Sequence, residues 1–123
     1  MRSLFITGAS GFLGGYVCRL LSRDWQIWGT HHTQPVTLSS GHSIALDLTN
    51  EQSIAEVWQR VRPDAVIHTA ALSKANQCQQ FPDRSYGVNV LGAVRLAKRC
   101  ATHAVPFIFT STDLVFDGTI PPY

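Results

Sequence analysis

The stretch Leu4-Phe5-Ile6-Thr7-Gly8-Ala9-Ser10-Gly11-Phe12-Leu13-Gly14 decides how the rest of the chain is read. Apolar residues precede glycines at 8, 11 and 14, and a helix-period pattern follows in which Phe12, Leu13, Tyr16, Val17, Leu20 and Leu21 share one face. The order is strand, tight turn, helix. A turn without side chains lets the N–H groups at the helix start, and the positive end of the helix dipole, meet a phosphate directly. The spacing is Gly-x-x-Gly-x-x-Gly, one residue longer in the turn than the standard dinucleotide fingerprint. A plain strand–helix connection with small residues for close packing would use the same glycines. The complete strand–turn–helix context favours dinucleotide binding over that reading.

Working outward, strands and helices alternate. Trp25 to Thr30 reads as a second strand ending near His31, His32 to Gly41 as a polar loop, and Ser43 to Leu46 as a third strand closed by Asp47 and Leu48. Thr49, with Gln52 three residues on, has capping-box form and predicts a helix with Ile54, Val57, Trp58 and Val61 on one face, stopped at Pro63. Asp64 to His68 is a buried fourth strand by its continuous apolar character, and Thr69 to Pro82 a loop. Asp83 to His103 reads as a helix carrying Tyr86, Val90, Ala93, Ala97 and Cys100 on one side, followed by a fifth strand from Val105 to Thr110 and a loop from Ser111 to Tyr123. The alternation predicts the α/β class: a Rossmann-type doubly wound parallel sheet of about five strands with flanking helices and right-handed crossovers. Ligands of such sheets bind outside the carboxyl ends of the strands, where the strand order reverses.

Composition narrows the class further. The chain of 123 residues is one domain by length, and 45% hydrophobic with 15% charged residues is a globular rather than a disordered balance. A formal charge of +2, with no run of like charge, gives no electrostatic ground for a nucleic acid or an anionic membrane as partner. No segment has the length of a membrane span, and Gly8 and Gly11 interrupt the first apolar run before it could form a signal-peptide core. Cys18, Cys78 and Cys100 are an odd number without a Cys-x-x-Cys pair, which argues against a disulfide framework or a metal site and fits a reducing cytoplasm. Cys18 and Cys100 fall in helical patterns as small buried residues, while Cys78 has no assigned function.

The residue types at the strand ends suggest the ligand. A carboxylate at the end of the second strand would bind the adenosine ribose of NAD, but no Asp or Glu lies between Trp25 and Ser43. His31 and His32 stand there instead, offering a 2′-phosphate no repulsion, so NADP(H) is preferred over NAD(H). Asp47 serves either an adenine ring or the turn before the next helix. Thr69-Ala70-Ala71 leaves room for a cofactor, or for packing alone. Thr110-Ser111-Thr112-Asp113 places hydroxyls where they can donate to a substrate carbonyl, or cap their own backbone.

Taken together, Thr7 to Gly14, Leu46-Asp47-Leu48, His68-Thr69-Ala70-Ala71, Val88-Asn89-Val90 and Ser111 to Gly118 resemble the extended short-chain dehydrogenase/reductase family. The last motif, continued through Ile120-Pro121-Pro122-Tyr123, is most similar to its dTDP-4-dehydrorhamnose reductase branch. The resemblance implies that Gly8, Gly11 and Gly14, with Ser10, Phe12 and Leu13 of the same turn, hold the cofactor pyrophosphate. Asp47, followed by Leu48, would meet the adenine, His31 lies by the ribose, and Ala70 and Ala71 line the nicotinamide side. Asn89 matches the helix asparagine that supports the site, or is simply a helix residue bonded to backbone, and Thr112 matches the hydroxyl member of the family's Ser/Thr-Tyr-Lys catalytic group.

The sequence departs from the family in lacking Tyr-x-x-x-Lys: Tyr16 is followed at that spacing by Leu20 and Tyr86 by Val90. Residues 1–123 are therefore expected to be an NAD(P)-binding Rossmann domain that is incomplete and inactive alone, its proton donor and substrate-binding portion lying beyond Tyr123. The function implied is NAD(P)H-dependent reduction of a 4-keto sugar nucleotide, with small residues on the helix faces admitting a homodimer. The alternatives are a non-catalytic regulatory subunit like that of methionine adenosyltransferase, and a sugar-nucleotide epimerase or dehydratase.

Overall fold

The computed structural model describes residues 1–122, so the expectation for Tyr123 lies outside the described residues. Five strands, β1 (Ser3–Thr7), β2 (Gln26–His31), β3 (His42–Ala45), β4 (Ala65–His68) and β5 (Phe107–Phe109), form one sheet in the order β3-β2-β1-β4-β5. Every neighbouring pair is parallel. The doubly wound reading therefore holds, and the order reverses between β1 and β4, which sets the ligand-binding edge at the carboxyl ends of those two strands.

Each sheet face has its own core. Phe5 and Val66 point to the face covered by α2 (Glu51–Val61) and α5 (Ala93–Thr102), where they pack with Ile54, Val57, Trp58, Val61, Leu96 and Cys100. Leu4, Ile6 and Ile27 point to the opposite face, covered by α1 (Phe12–Leu21) through Cys18, Val17 and Leu21 and by Val36 and Leu38 of the loop after β2. The predicted apolar face of α2 is thus the buried one, and Cys18 and Cys100 are small core residues as expected.

The predicted face of α1 is wrong in part. Phe12 is 96% exposed, and Leu13, Tyr16 and Leu20 are also exposed; the helix instead buries Gly14 and Cys18. Close approach is the reason. A β-carbon on Gly14 would collide with the Gly8 carbonyl oxygen and lie 2.8 Å from Thr69 Oγ1, so the stripe facing the sheet has to be small and the large residues fall on the outer flank.

Three further boundaries differ. Asn50, not Thr49, caps α2, accepting the Ser53 N–H at 3.1 Å, because the Thr49 hydroxyl is held by Asp47. The helix ends at Arg62, whose left-handed φ of +46° turns its N–H back to the Trp58 carbonyl, one residue before Pro63. The predicted loop over 69–82 contains α3 (Ala75–Gln80), which buries no residue and so shows no apolar period.

The long predicted helix is three pieces: α4 (Pro82–Ser85), a π-helical segment (Tyr86–Gly92) and α5. The wider turn of the middle piece shifts the phase, so Tyr86 and Val90 are exposed while Gly92, Ala93, Leu96 and Cys100 are buried. Gly92 lets this segment approach the opposite wall, since a β-carbon there would lie 2.9 Å from Leu48 Cβ. No helix among the described residues is long and apolar enough to cross a membrane.

One ionisable side chain lies deep in the sheet. His68 is 1% exposed, between the rings of Phe107 and Phe109 at centroid distances of 6.1 and 5.9 Å. Burial holds its pKa at about 4, down from 6.5, so it stays neutral in the fold. The unfolded chain then binds the extra proton between those two values, and stability falls as pH drops through that window, by about 3 kcal/mol in full.

Urea unfolding midpoints measured between pH 7 and pH 4 should show this loss, and His68→Asn should flatten the slope. Gly14→Ala should cost about 2–3 kcal/mol by overpacking. Gly87→Ala, where the nearest atom to an added β-carbon is Thr49 Cγ2 at 3.5 Å, should leave stability unchanged or raise it by up to about 1 kcal/mol. Thermal melts of the two variants check the contrast.

Candidate functional site

The glycine turn, the exits of β2, β3 and β4 and the start of the π-helical segment enclose a cleft of about 740 Å³, within the usual size range of small-molecule sites. Its first wall is the turn itself: Gly8, Ser10, Gly11, Phe12, Leu13 and Gly14 all border the space. Gly8 takes a left-handed φ of +73°, and a β-carbon there would lie 2.9 Å from the Ala70 N and Cα. Glycine is thus required twice over, by conformation and by the neighbouring strand exit. Gly11 is the N-cap of α1 and offers no side chain to cap it. The first-turn N–H groups at Phe12 and Leu13 are left for an anion, in the field of the helix dipole.

The second wall is the exit of β2 and β3. Thr30, His31 and His32 border the cleft without an acidic neighbour in the stretch, and His31 Nδ1 lies 2.8 Å from Ser43 Oγ. Asp47 also borders it, with Leu46, Leu48 and Thr49. Its Oδ1 accepts the Thr49 hydroxyl at 2.6 Å and the Thr49 N–H at 2.9 Å. Those two bonds, with a smaller contribution from His32, hold its pKa below the ordinary 3.8, so it is a carboxylate. Asp47 therefore carries the turn chemistry expected of it while still facing the cleft.

The third wall is the exit of β4, where Thr69, Ala70, Ala71, Leu72 and Ser73 border the space. Asn89 does not border it, but grips this loop from the π-helical segment. Its Oδ1 accepts the Leu72 N–H at 2.7 Å, and its Nδ2 donates to the Leu72 carbonyl at 3.0 Å. Cys78 joins the grip, its thiol donating to the same carbonyl at 3.1 Å.

Thr112 lies apart from the cleft lining. Its hydroxyl accepts the Leu114 N–H at 3.2 Å and caps the short 3₁₀ turn Asp113–Val115. Arg84 of α4 and Ser73 of the loop after β4 also line the cleft and had no signal in the sequence, while Val88 was marked only by the Val88-Asn89-Val90 motif. Thr30 and Thr69 were readable as strand ends but carried no distinguishing pattern.

A family model described as the RmlD substrate binding domain matches residues 1–123. The chain is 31% identical over 118 residues to the dTDP-4-dehydrorhamnose reductase of Aggregatibacter actinomycetemcomitans, covering 96% of this chain and 37% of that protein. It is 31% identical over 123 residues to methionine adenosyltransferase 2 subunit beta of Xenopus laevis, covering 99% of this chain and 36% of that one. The crystal structure of a hypothetical dTDP-4-dehydrorhamnose reductase from Sulfolobus tokodaii superposes with a TM-score of 0.88 at 28% identity, covering 100% of this chain and 43% of the other. The chain spans little more than a third of the length of the curated relatives it matches. The match runs through every strand end that forms the cleft, and the chain belongs to the RmlD substrate binding domain family.

Proposed function

We propose that this chain is the cofactor-binding portion of an NAD(P)H-dependent reductase acting on a 4-keto sugar nucleotide, similar to dTDP-4-dehydrorhamnose reductase. The observation that carries the reading is the cleft in which an uncapped helix start, a left-handed Gly8 and the small Ala70 and Ala71 face one another across the strand-order reversal. The donor set fits a dinucleotide diphosphate: backbone N–H groups of the turn, with no side chain between them and the ligand. Reduced nicotinamide, when bound, supplies hydride chemistry.

In this reading the turn from Gly8 to Gly14 binds the diphosphate, and Asp47 and Leu48 border the adenine. His31 faces the ribose, where the absence of an acidic side chain favours the 2′-phosphate of NADP(H) over NAD(H). Ala70 and Ala71 flank the nicotinamide, and Asn89 keeps their loop in place. Thr112 holds the substrate carbonyl oxygen in the full-length enzyme, whose general acid is the tyrosine of a Tyr-x-x-x-Lys that this chain lacks. The buried thiol of Cys18 and the unpaired cysteines suit a reducing cytoplasm. A homodimer belongs to the same reading, but not through Gly92 and Ala93, small helix residues that are buried within this chain.

A second reading, a nucleotide-binding regulatory subunit, is favoured by one observation: Thr112 caps its own backbone outside the cleft.

Titration of the full-length protein should show tighter binding of NADPH than of NADH. The reverse order would remove the NADP(H) preference, and no binding of either would remove the cofactor reading. Turnover of a dTDP-linked 4-keto sugar should fall by about 10²-fold in Thr112→Val with NADPH affinity within about twofold of the parent. Binding without turnover in the parent would favour the regulatory reading.

A further inference from the structure

The bond network under the cleft fixes the protonation pattern of a buried histidine. Thr7 Oγ1 lies 3.1 Å from the N–H groups of both Thr69 and Ala70, and 2.6 Å from His68 Nδ1. A threonine hydroxyl has one proton and two acceptor lone pairs. The two N–H groups are obligate donors and take both lone pairs, so the hydroxyl proton goes to His68 Nδ1. That nitrogen is then an acceptor, and the ring proton sits on Nε2.

We infer that His68 is a positioning residue, held as the Nε2–H tautomer so that its Nδ1 fixes the Thr7 hydroxyl, which in turn sets the Thr69–Ala70 backbone at the floor of the cleft.

The chain of contacts is continuous from the edge strand to the glycine turn. Phe107 and Phe109 of β5 hold the His68 ring, with interplanar angles of 26° and 21°. The ring orients the Thr7 hydroxyl at the end of β1, and the hydroxyl collects the two N–H groups at the exit of β4. Thr69 returns the tie, its Oγ1 donating to the Thr7 carbonyl at 2.6 Å. The backbone so placed is the surface against which Gly8 packs, with the Ala70 N only 2.9 Å from where a β-carbon on Gly8 would be. A proton on Nδ1 would turn two donors against each other and leave one of the backbone N–H groups without its acceptor, at the cost of an unsatisfied buried group. The low pKa of the imidazole accords with this arrangement.

The tautomer stands on the hydrogen-bond geometry alone, whereas the role in binding rests on the cofactor reading above. Long-range ¹H–¹⁵N spectra of the full-length protein at pH 7 should show a neutral His68 ring with Nε2 protonated and Nδ1 bare. A ring protonated on Nδ1 would overturn the inference.

The affinity for NADPH, or for NADH where NADPH does not bind, should then fall by about tenfold in Thr7→Val and in His68→Phe. Thr7→Ser keeps the hydroxyl, and His68→Asn keeps an acceptor near the Nδ1 position, so both should stay within about threefold of the parent. Equal affinity in Thr7→Val and Thr7→Ser would refute the positioning role. Should His68→Phe not fold, the threonine pair and the spectrum of the parent protein still decide. Failure of the parent to bind either nucleotide would remove the cofactor reading and the binding role together, leaving the tautomer to be judged by the spectrum.

Discussion

The first turn of α1 rests against the end of β1 with no side chain between them, and the rest of the structure accommodates that contact. The space for a β-carbon on Gly14 is taken by the Gly8 carbonyl, and the space for one on Gly8 is taken by Ala70. Three backbone segments thus meet at one point: a strand end, a helix start and the exit of the neighbouring strand. The helix must then present a small stripe to the sheet, which is why Cys18 is buried while Tyr16 and Leu20 are exposed. Gly29 on β2 continues the same fit, since a β-carbon there would lie 2.7 Å from Ala9 Cβ and 3.3 Å from Cys18 Sγ. On the other face Gly92 plays the same part against Leu48. Close packing on both faces brings the strand exits near enough to share one cleft.

How far the sequence disclosed this depends on whether a feature is local. The glycine spacing, the continuous apolar strands and the face of α2 are set by residues near one another in sequence, and each was readable with small errors of boundary. The parallel pairing followed from the alternation of elements, whereas the order β3-β2-β1-β4-β5 belongs to the structure. The buried stripe of α1 was not readable, because hydrophobicity marks large residues whereas this interface selects small ones. The phase of the chain from Tyr86 onward was lost to a π-helical segment, which no 3.6-residue period can follow. Within the site, the glycines, Asp47 and the two alanines were legible as strand-end residues. Arg84 reaches the cleft by tertiary placement alone. Asn89 stood in the sequence between a site-supporting and a backbone-bonded helix residue, and its two bonds to the Leu72 backbone belong to the fold.

The carboxyl edge of the sheet is largely satisfied from within the chain. Backbone groups at these strand ends are tied by threonine hydroxyls, in addition to the backbone bond that Thr110 N–H makes to the His68 carbonyl. Thr30 Oγ1 accepts the Gly8 N–H at 3.3 Å, Thr69 Oγ1 donates to the Thr7 carbonyl at 2.6 Å, and Thr110 Oγ1 donates to the His68 carbonyl at 3.0 Å. An edge satisfied from within makes few demands on a ligand. The N–H groups at the start of α1 stand outside this lacing, since Gly11 brings no capping side chain.

The charge on the cleft lining is mixed. Arg84 borders the cleft, and Asp47, the one carboxylate among the described lining residues, already has two donors from Thr49 on a single oxygen. Those bonds keep Asp47 ionised. In the proposed reading, a molecule carrying phosphate at one end and a hydrogen-bonding ring at the other would meet the helix start and Asp47, and this arrangement supports the dinucleotide proposal alongside the glycine spacing.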